Sequence, residues 1–224
     1  MQLGSLYPFA RNHNHIESIS QEPYAFGPTL LKTSYMSLKF RYSILKYYYS
    51  LFMEKNSVGM VIQPLFFEFG KDKECFSEKV LNEQFLIGRN LLISPVLEPN
   101  STGVYMYLPG KSVFWYEIHS GRKYDGYRHL YVINEKNATA PIFIRGGSII
   151  FRQKSSNVLS TKDLDNKFYF SIALDQANQA RGKFPTLENY NDESKVLLYM
   201  KSEAFIEIFV KKKKIFLFSF YTVF

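Results

Sequence analysis

Cysteine is almost missing. Cys75 stands alone in 224 residues, so no intrachain disulfide can form and no cysteine-built zinc site is available. Its neighbours Lys73, Glu74 and Phe76 bring no catalytic partner, and the expectation is a free thiol, at the surface or half-buried. No apolar run reaches the roughly 18–20 residues that a membrane-spanning helix needs. The tail Ile215–Phe224 has only ten. Met1–Arg11 lacks the basic stretch and following apolar run of a secretory leader. HExxH, CxxC, P-loop, GxGxxG and GxSxG patterns are absent, and with them the signatures of zinc proteases, nucleotide binding and nucleophile-elbow hydrolases. No metal and no cofactor is expected.

Aromatic residues are abundant: 21 Phe and 17 Tyr make up most of a 17% share, which suits strands and also suits stacking on sugar rings or bases. The net charge is +8, but the basic residues are scattered apart from Lys211–Lys214. A nucleic-acid surface would gather them among exposed aromatics, so no nucleic-acid partner is expected. Asn100-Ser101-Thr102 and Asn137-Ala138-Thr139 are acceptor tripeptides for N-glycosylation, making Asn100 and Asn137 candidate sites and hinting at the secretory route.

Periodicity divides the chain into a helical front and a β-rich remainder. Residues 1 to 6 read as a helix end, Phe9–Arg11 as a short strand, and Asn12–Gly27 as a polar loop. Leu31, Tyr35, Leu38, Tyr42, Leu45, Tyr49 and Phe52 recur at spacings of four and three, which predicts one amphipathic helix over about 29–55, packed on a sheet or wound into a coiled coil. Candidate strands follow at Val61–Phe69, Leu91–Leu97, Val104–Leu108, Val113–Ile118, Leu130–Ile133, Pro141–Ile144, Ser148–Phe151, Phe168–Leu174, Val196–Met200 and Phe205–Val210. Turn residues such as Pro109-Gly110 and Gly146-Gly147 separate them, predicting an antiparallel sandwich. The stretch 176–195 is polar and reads as a long loop.

Paired carboxylates are what glycoside hydrolysis would need. Glu17 and Glu22, or Asp192 and Glu193, lie in polar loops and form no convincing constellation, so no catalytic residue is assigned. His13 and His15 have no carboxylate at zinc-like spacing. The stretch YPFARNHN, residues 7 to 14, is different. A guanidinium offers five donors and a neutral imidazole one donor and one acceptor, so Arg11 and His13, with the rings of Tyr7 and Phe9, are equipped to grip a polyhydroxylated ligand. The alternative is that the two rings are core and Arg11 is paired internally.

The runs MQLGSLYPFARNHN, QEPYAFG, LKFRYSILKYYYSLF, QPLFFEFGKD, EQFLIGRNLLISPVLEPN, VYMYLPG, WYEIHSG and APIFIRGGSII occur in that order over about residues 1 to 195. Together they closely resemble the C-terminal part of family 31 glycoside hydrolases, the α-glucosidases, of the lysosomal acid α-glucosidase, maltase-glucoamylase and sucrase-isomaltase type. The resemblance implies a fold that is α/β plus all-β: the C-terminal remnant of a (β/α)8 barrel followed by an antiparallel β-sandwich. Its implied division is 1–82 for the end of the barrel, 83–175 for the proximal sandwich and 176–224 for the truncated start of a distal β domain. Phe9–Arg11 would be the last barrel strand, the long helix the last barrel helix, and His13 a sugar-binding residue of the −1 subsite. The parent would be a retaining enzyme acting on terminal α-linked glucose, lysosomal or extracellular.

The family's nucleophile and acid/base aspartates sit in WxDMNE-like and GDN-like motifs, and neither occurs in these residues. The implication is a chain truncated at both ends, inactive alone, whose partners are an α-glucoside in the parent and the missing barrel portion. A non-catalytic carbohydrate-binding or interaction module is the alternative. Gly70 stands where the family carries a proline, and YNDESK replaces a DDGxS-like turn. The resemblance ends near residue 203.

Overall fold

The computed structural model describes residues 1–54, 59–133, 139–164, 168–185, 195–201, 205–210 and 221–223. A 3-10 turn at Gly4–Leu6 opens the chain. Among the described residues Phe9–Arg11 joins no ladder, so the expected barrel strand is not formed. The reason is physical: a strand exists only through hydrogen bonds to a neighbour, and no strand among the described residues pairs with this segment.

The predicted helix is present but broken and turned over. It comprises α1 (Pro28–Ser43) and α2 (Leu45–Glu54), separated at Ile44. There φ is −108° and ψ 8°, and the Ile44 N–H reaches back to Arg41 and Tyr42 in a tightened turn. Pro28 occupies the first turn, where its missing N–H costs nothing. The buried face is Ser34, Ser37, Phe40, Ser43, Ile44, Tyr47, Tyr48 and Leu51. Leu31, Tyr35, Leu38 and Phe52, expected to face the core, are exposed. Three serines let α1 approach its neighbours closely. A periodicity search weighs only apolar residues and passes over a contact face lined by serine.

The first sheet runs β1 (Ile62–Gln63), β2 (Phe85–Ile87), β3 (Leu91–Ile93), β8 (Ile142–Arg145), β5 (Phe114–Glu117), β6 (Lys123–Asp125), with every pair antiparallel. A two-stranded sheet of β4 (Gly103–Leu108) and β7 (Arg128–Ile133) covers one of its faces. The helix pair covers the other. Period-two alternation assigns the side chains. Ile87, Leu91, Ile93, Tyr116, Ile142 and Ile144 join the helix-side core with Phe40, Ile44, Tyr47 and Leu51. Leu86, Leu92, Trp115 and Phe143 join the opposite core with Met106 and Leu108. Trp115 and Phe143 are both fully buried, each burial being worth about 2–3 kcal/mol. The sheet is therefore apolar on both faces at its centre, which is why β2, β3 and β8 read as continuous hydrophobic runs.

A third sheet has the order β13 (Phe205–Val210), β12 (Lys195–Lys201), β11 (Gln179–Pro185), β9 (Ser148–Gln153), β10 (Phe168–Ala173), β14 (Tyr221–Val223). Here β9 pairs with β11, and β10 with β14, in parallel, so the all-antiparallel expectation fails at these two joins. Strand β11 falls inside the expected polar loop 176–195. Its ladder comes from β12 on one side and β9 on the other, a long-range source that local polarity does not reveal. The expected strand Val61–Phe69 shrinks to β1, because Pro64 has no N–H to donate and Leu65–Phe67 turns into a 3-10 helix.

The helix pair meets the first sheet at Gly88. Its φ is +59°, and a Cβ there would lie 2.7 Å from both a Leu51 methyl and the Tyr47 hydroxyl. Tyr47 in turn donates to the Ile87 carbonyl at 3.0 Å. Only glycine allows both the left-handed turn and the close approach of α2.

Candidate functional site

The segment leading to residue 11 is held from the helix pair. Arg41, in the last turn of α1, donates to the carbonyl oxygens of Ser5 (2.9 Å), Tyr7 and Pro8 (2.8 Å), and the Tyr48 hydroxyl donates to that of Leu6. The Tyr7 ring tilts against Phe85 at 6.0 Å. Beyond this anchor the chain runs out into solvent, with Phe9 74% exposed.

Arg11 and His13 come together there, with Arg11 Nη2 2.5 Å from His13 Nδ1. A guanidinium only donates, so Nδ1 accepts and the ring keeps its proton on Nε2. That leaves Nε2–H and the remaining guanidinium donors for a ligand. His15 does something else: its Nδ1 accepts from the Glu17 N–H at 3.3 Å. Asn14 latches the same loop by donating to the Ile19 carbonyl at 2.7 Å. The two histidines thus share no ligand, and no group of three metal-ligating side chains occurs among the described residues. Glu17 and Glu22 are both exposed. Asp192 and Glu193, Asn137 and Lys211–Lys214 lie outside the described residues. Asn100 is exposed at a turn with φ +61°. A cleft of about 190 Å³ lined by Leu3, Tyr7, Ile62, Leu81, Phe85 and Leu97 adjoins the anchor but excludes Arg11 and His13.

Other conspicuous polar groups are structural. Cys75 is fully buried rather than at the surface or half-buried, and burial, with the charges of Asp72 and Glu74, pushes its thiol up to about 12. Asp72 accepts from the Tyr107 hydroxyl (2.8 Å) and the Gly110 N–H (3.2 Å). Gln84 acts as a piece of strand: its amide donates to the Tyr107 carbonyl at 2.9 Å and accepts from the Tyr107 N–H at 2.8 Å.

Glu68 joins three elements, contacting Arg89 at 2.7 Å and Arg145 at 3.2 Å. Burial works to raise its carboxyl, but the hydrogen bonds and charges of Arg89 and Arg145 outweigh it and hold the group below its ordinary value of 4.5. A lowered folded value stabilises the fold above pH 4.5, and that contribution disappears as pH falls through the folded value. Glu68→Gln should therefore cost about 1–2 kcal/mol at pH 7, the exposure of Arg89 moderating the loss. Urea unfolding checks this, and the difference between the two proteins should shrink as pH falls through the lowered folded value of Glu68.

Residues 1–51 match the glycosyl hydrolases family 31 TIM-barrel domain, and residues 59–150 match the glycosyl hydrolase family 31 C-terminal domain. The chain belongs to glycoside hydrolase family 31. The lysosomal acid alpha-glucosidase of Tetrahymena pyriformis is 35% identical over 87% of this chain and 22% of its own length. A probable glucan 1,3-alpha-glucosidase of Oryza sativa subsp. japonica is 34% identical over 92% of this chain and 21% of its own. This family 31 chain thus spans about a fifth of the length of these relatives. The Tris-bound glucosidase II alpha subunit superposes with a TM-score of 0.81 at 21% identity, over 94% of this chain and 23% of that one, a likeness of fold. The family 31 chain is thus a barrel remnant followed by a β-rich C-terminal region.

The sequence pointed to Arg11 and His13, and the structure pairs them. Sequence reasoning missed Arg41 and Tyr48, which hold the approach to that pair. The one available signal was an arginine set between Phe40 and Tyr42 on a helix whose other cations are lysines.

Proposed function

We propose that this chain is the C-terminal portion of a retaining α-glucosidase that releases terminal α-linked glucose. The observation that carries the reading is the Arg11–His13 pair, exposed on a loop within the part that matches the family's barrel domain. Site residues in such barrels belong to loops that leave the strands, and His13 Nε2–H with the Arg11 guanidinium would hold sugar hydroxyls at the −1 subsite. The nucleophile and acid/base would be aspartates supplied by sequence outside this chain, which adds part of the sugar cradle and the β scaffold behind it.

The proposed division is 1–82 for the barrel remnant, 83–175 for the proximal sandwich and 176–224 for the beginning of a distal β domain, with the third sheet straddling the second boundary. A relative named as lysosomal supports passage through the secretory pathway, and Asn100, exposed at its turn, is the candidate glycan acceptor within the described residues. The test is the transcript. An open frame continuing upstream of Met1 and encoding the two aspartate motifs is the expected result. A mature message that begins at Met1 would overturn the reading.

A further inference from the structure

Four consecutive carbonyl oxygens, Ser5 to Pro8, precede the Arg11–His13 loop, and side chains of the helix pair take all four. Two of these oxygens close the 3-10 turn Gly4–Leu6 and two follow it, and a carbonyl oxygen there needs a donor from elsewhere in the fold. A guanidinium, planar and rich in donors, supplies it for three of the four. Tyr48 supplies the remaining bond. Burial raises its phenol above the ordinary value against the opposing charge of Arg41, so the hydroxyl remains a donor at neutral pH.

We propose that Arg41 is a positioning residue: it fixes the segment Ser5–Pro8 so that Arg11 and His13 are presented at a constant place to a sugar. The inference rests on the sugar-holding reading of His13. Arg11 lies only three residues past the last clamped carbonyl, at most about 10 Å of extended chain, so slack at the anchor passes directly to the pair. Placement errors on the order of 1 Å are enough to degrade a binding constellation.

Limited trypsin digestion of the whole chain tests the idea at the Arg11–Asn12 bond, with the exposed Arg122–Lys123 bond as internal control. Arg41→Gln should speed the cut after Arg11 about tenfold and change the cut after Arg122 less than about twofold, because the loss is local rather than global. Arg41→Lys should recover part of the protection, since an ammonium donates but lacks the planar fork. Glucose at about 100 mM should slow the Arg11 cut roughly threefold in the unaltered chain and leave His13→Ala and Arg41→Gln unaffected, as binding linkage requires. An unchanged Arg11 cut in Arg41→Gln overturns the proposal. So does equal acceleration at both bonds, which would make Arg41 an ordinary fold residue, and so does glucose protection that survives in Arg41→Gln. If glucose protects nothing in the unaltered chain, the sugar-holding reading falls, and the ratio of the two cuts alone decides whether Arg41 holds the loop.

Discussion

Incubated with maltose or a nitrophenyl α-glucoside, the purified chain will release product no faster than buffer does. Retaining glycosidases need two carboxyl groups about 5–5.5 Å apart on either side of the scissile bond, one attacking and one carrying the proton. The carboxylates on the Arg11–His13 loop are Glu17 and the flanking Glu22, both exposed on one side of the pair's own loop segment. Glu68 and Asp72 are occupied, the first by Arg89 and Arg145, the second by Tyr107 and Gly110. An imidazole and a guanidinium can orient glucose but cannot supply the displacement. Loss of such a pair removes essentially the whole acceleration, on the order of a millionfold or more. Glucose release measured over a day at high protein concentration is the check. Turnover that His13→Ala abolishes would sink both this expectation and the reading of the chain as a non-catalytic portion.

The second large effect concerns association. Leu31, Tyr35 and Leu38 lie at spacings of four and three along α1, with exposures of 48%, 52% and 37%. Tyr24 and Phe26 are exposed just before α1, and Phe52 near the end of α2. An apolar helix stripe left open is an association surface. The chain should scatter light as oligomers at micromolar concentration. The double substitution Leu31→Glu with Leu38→Glu should shift it to a monomer without lowering the unfolding temperature, because neither side chain contributes to the buried core. A monodisperse monomer from the unaltered chain would count against a missing cover for α1.

How much of this was legible beforehand differs by element. Strands β4, β5, β8, β9, β10, β12 and β13 lie where alternation and turn residues place them. The helix was legible as a helix, but its orientation was not. Seven apolar residues at regular spacing announce a face, yet the face that the sheet accepted is lined by Ser34, Ser37 and Ser43 around Phe40. Strand β11 was hidden for a related reason: its stability comes from ladders to β9 and β12, and QARGKFP carries no local sign of them. Cys75 was misplaced because flanking polar residues say nothing about a 3-10 turn that points the thiol inward.

Residue chemistry alone determined that no disulfide could form within these residues, and the ordered motifs alone determined the family, since both depend only on which side chains occur and in what order. It also singled out Arg11 and His13, because donor-rich groups two positions apart are visible without coordinates. Only the tertiary structure decided that Arg41 and Tyr48 reach across 33 to 42 positions of sequence to hold the approach to that pair. Only it decided that the predicted apolar stripe looks outward. Both outcomes depend on which surfaces meet in space, and a one-dimensional pattern carries no information about a partner that distant.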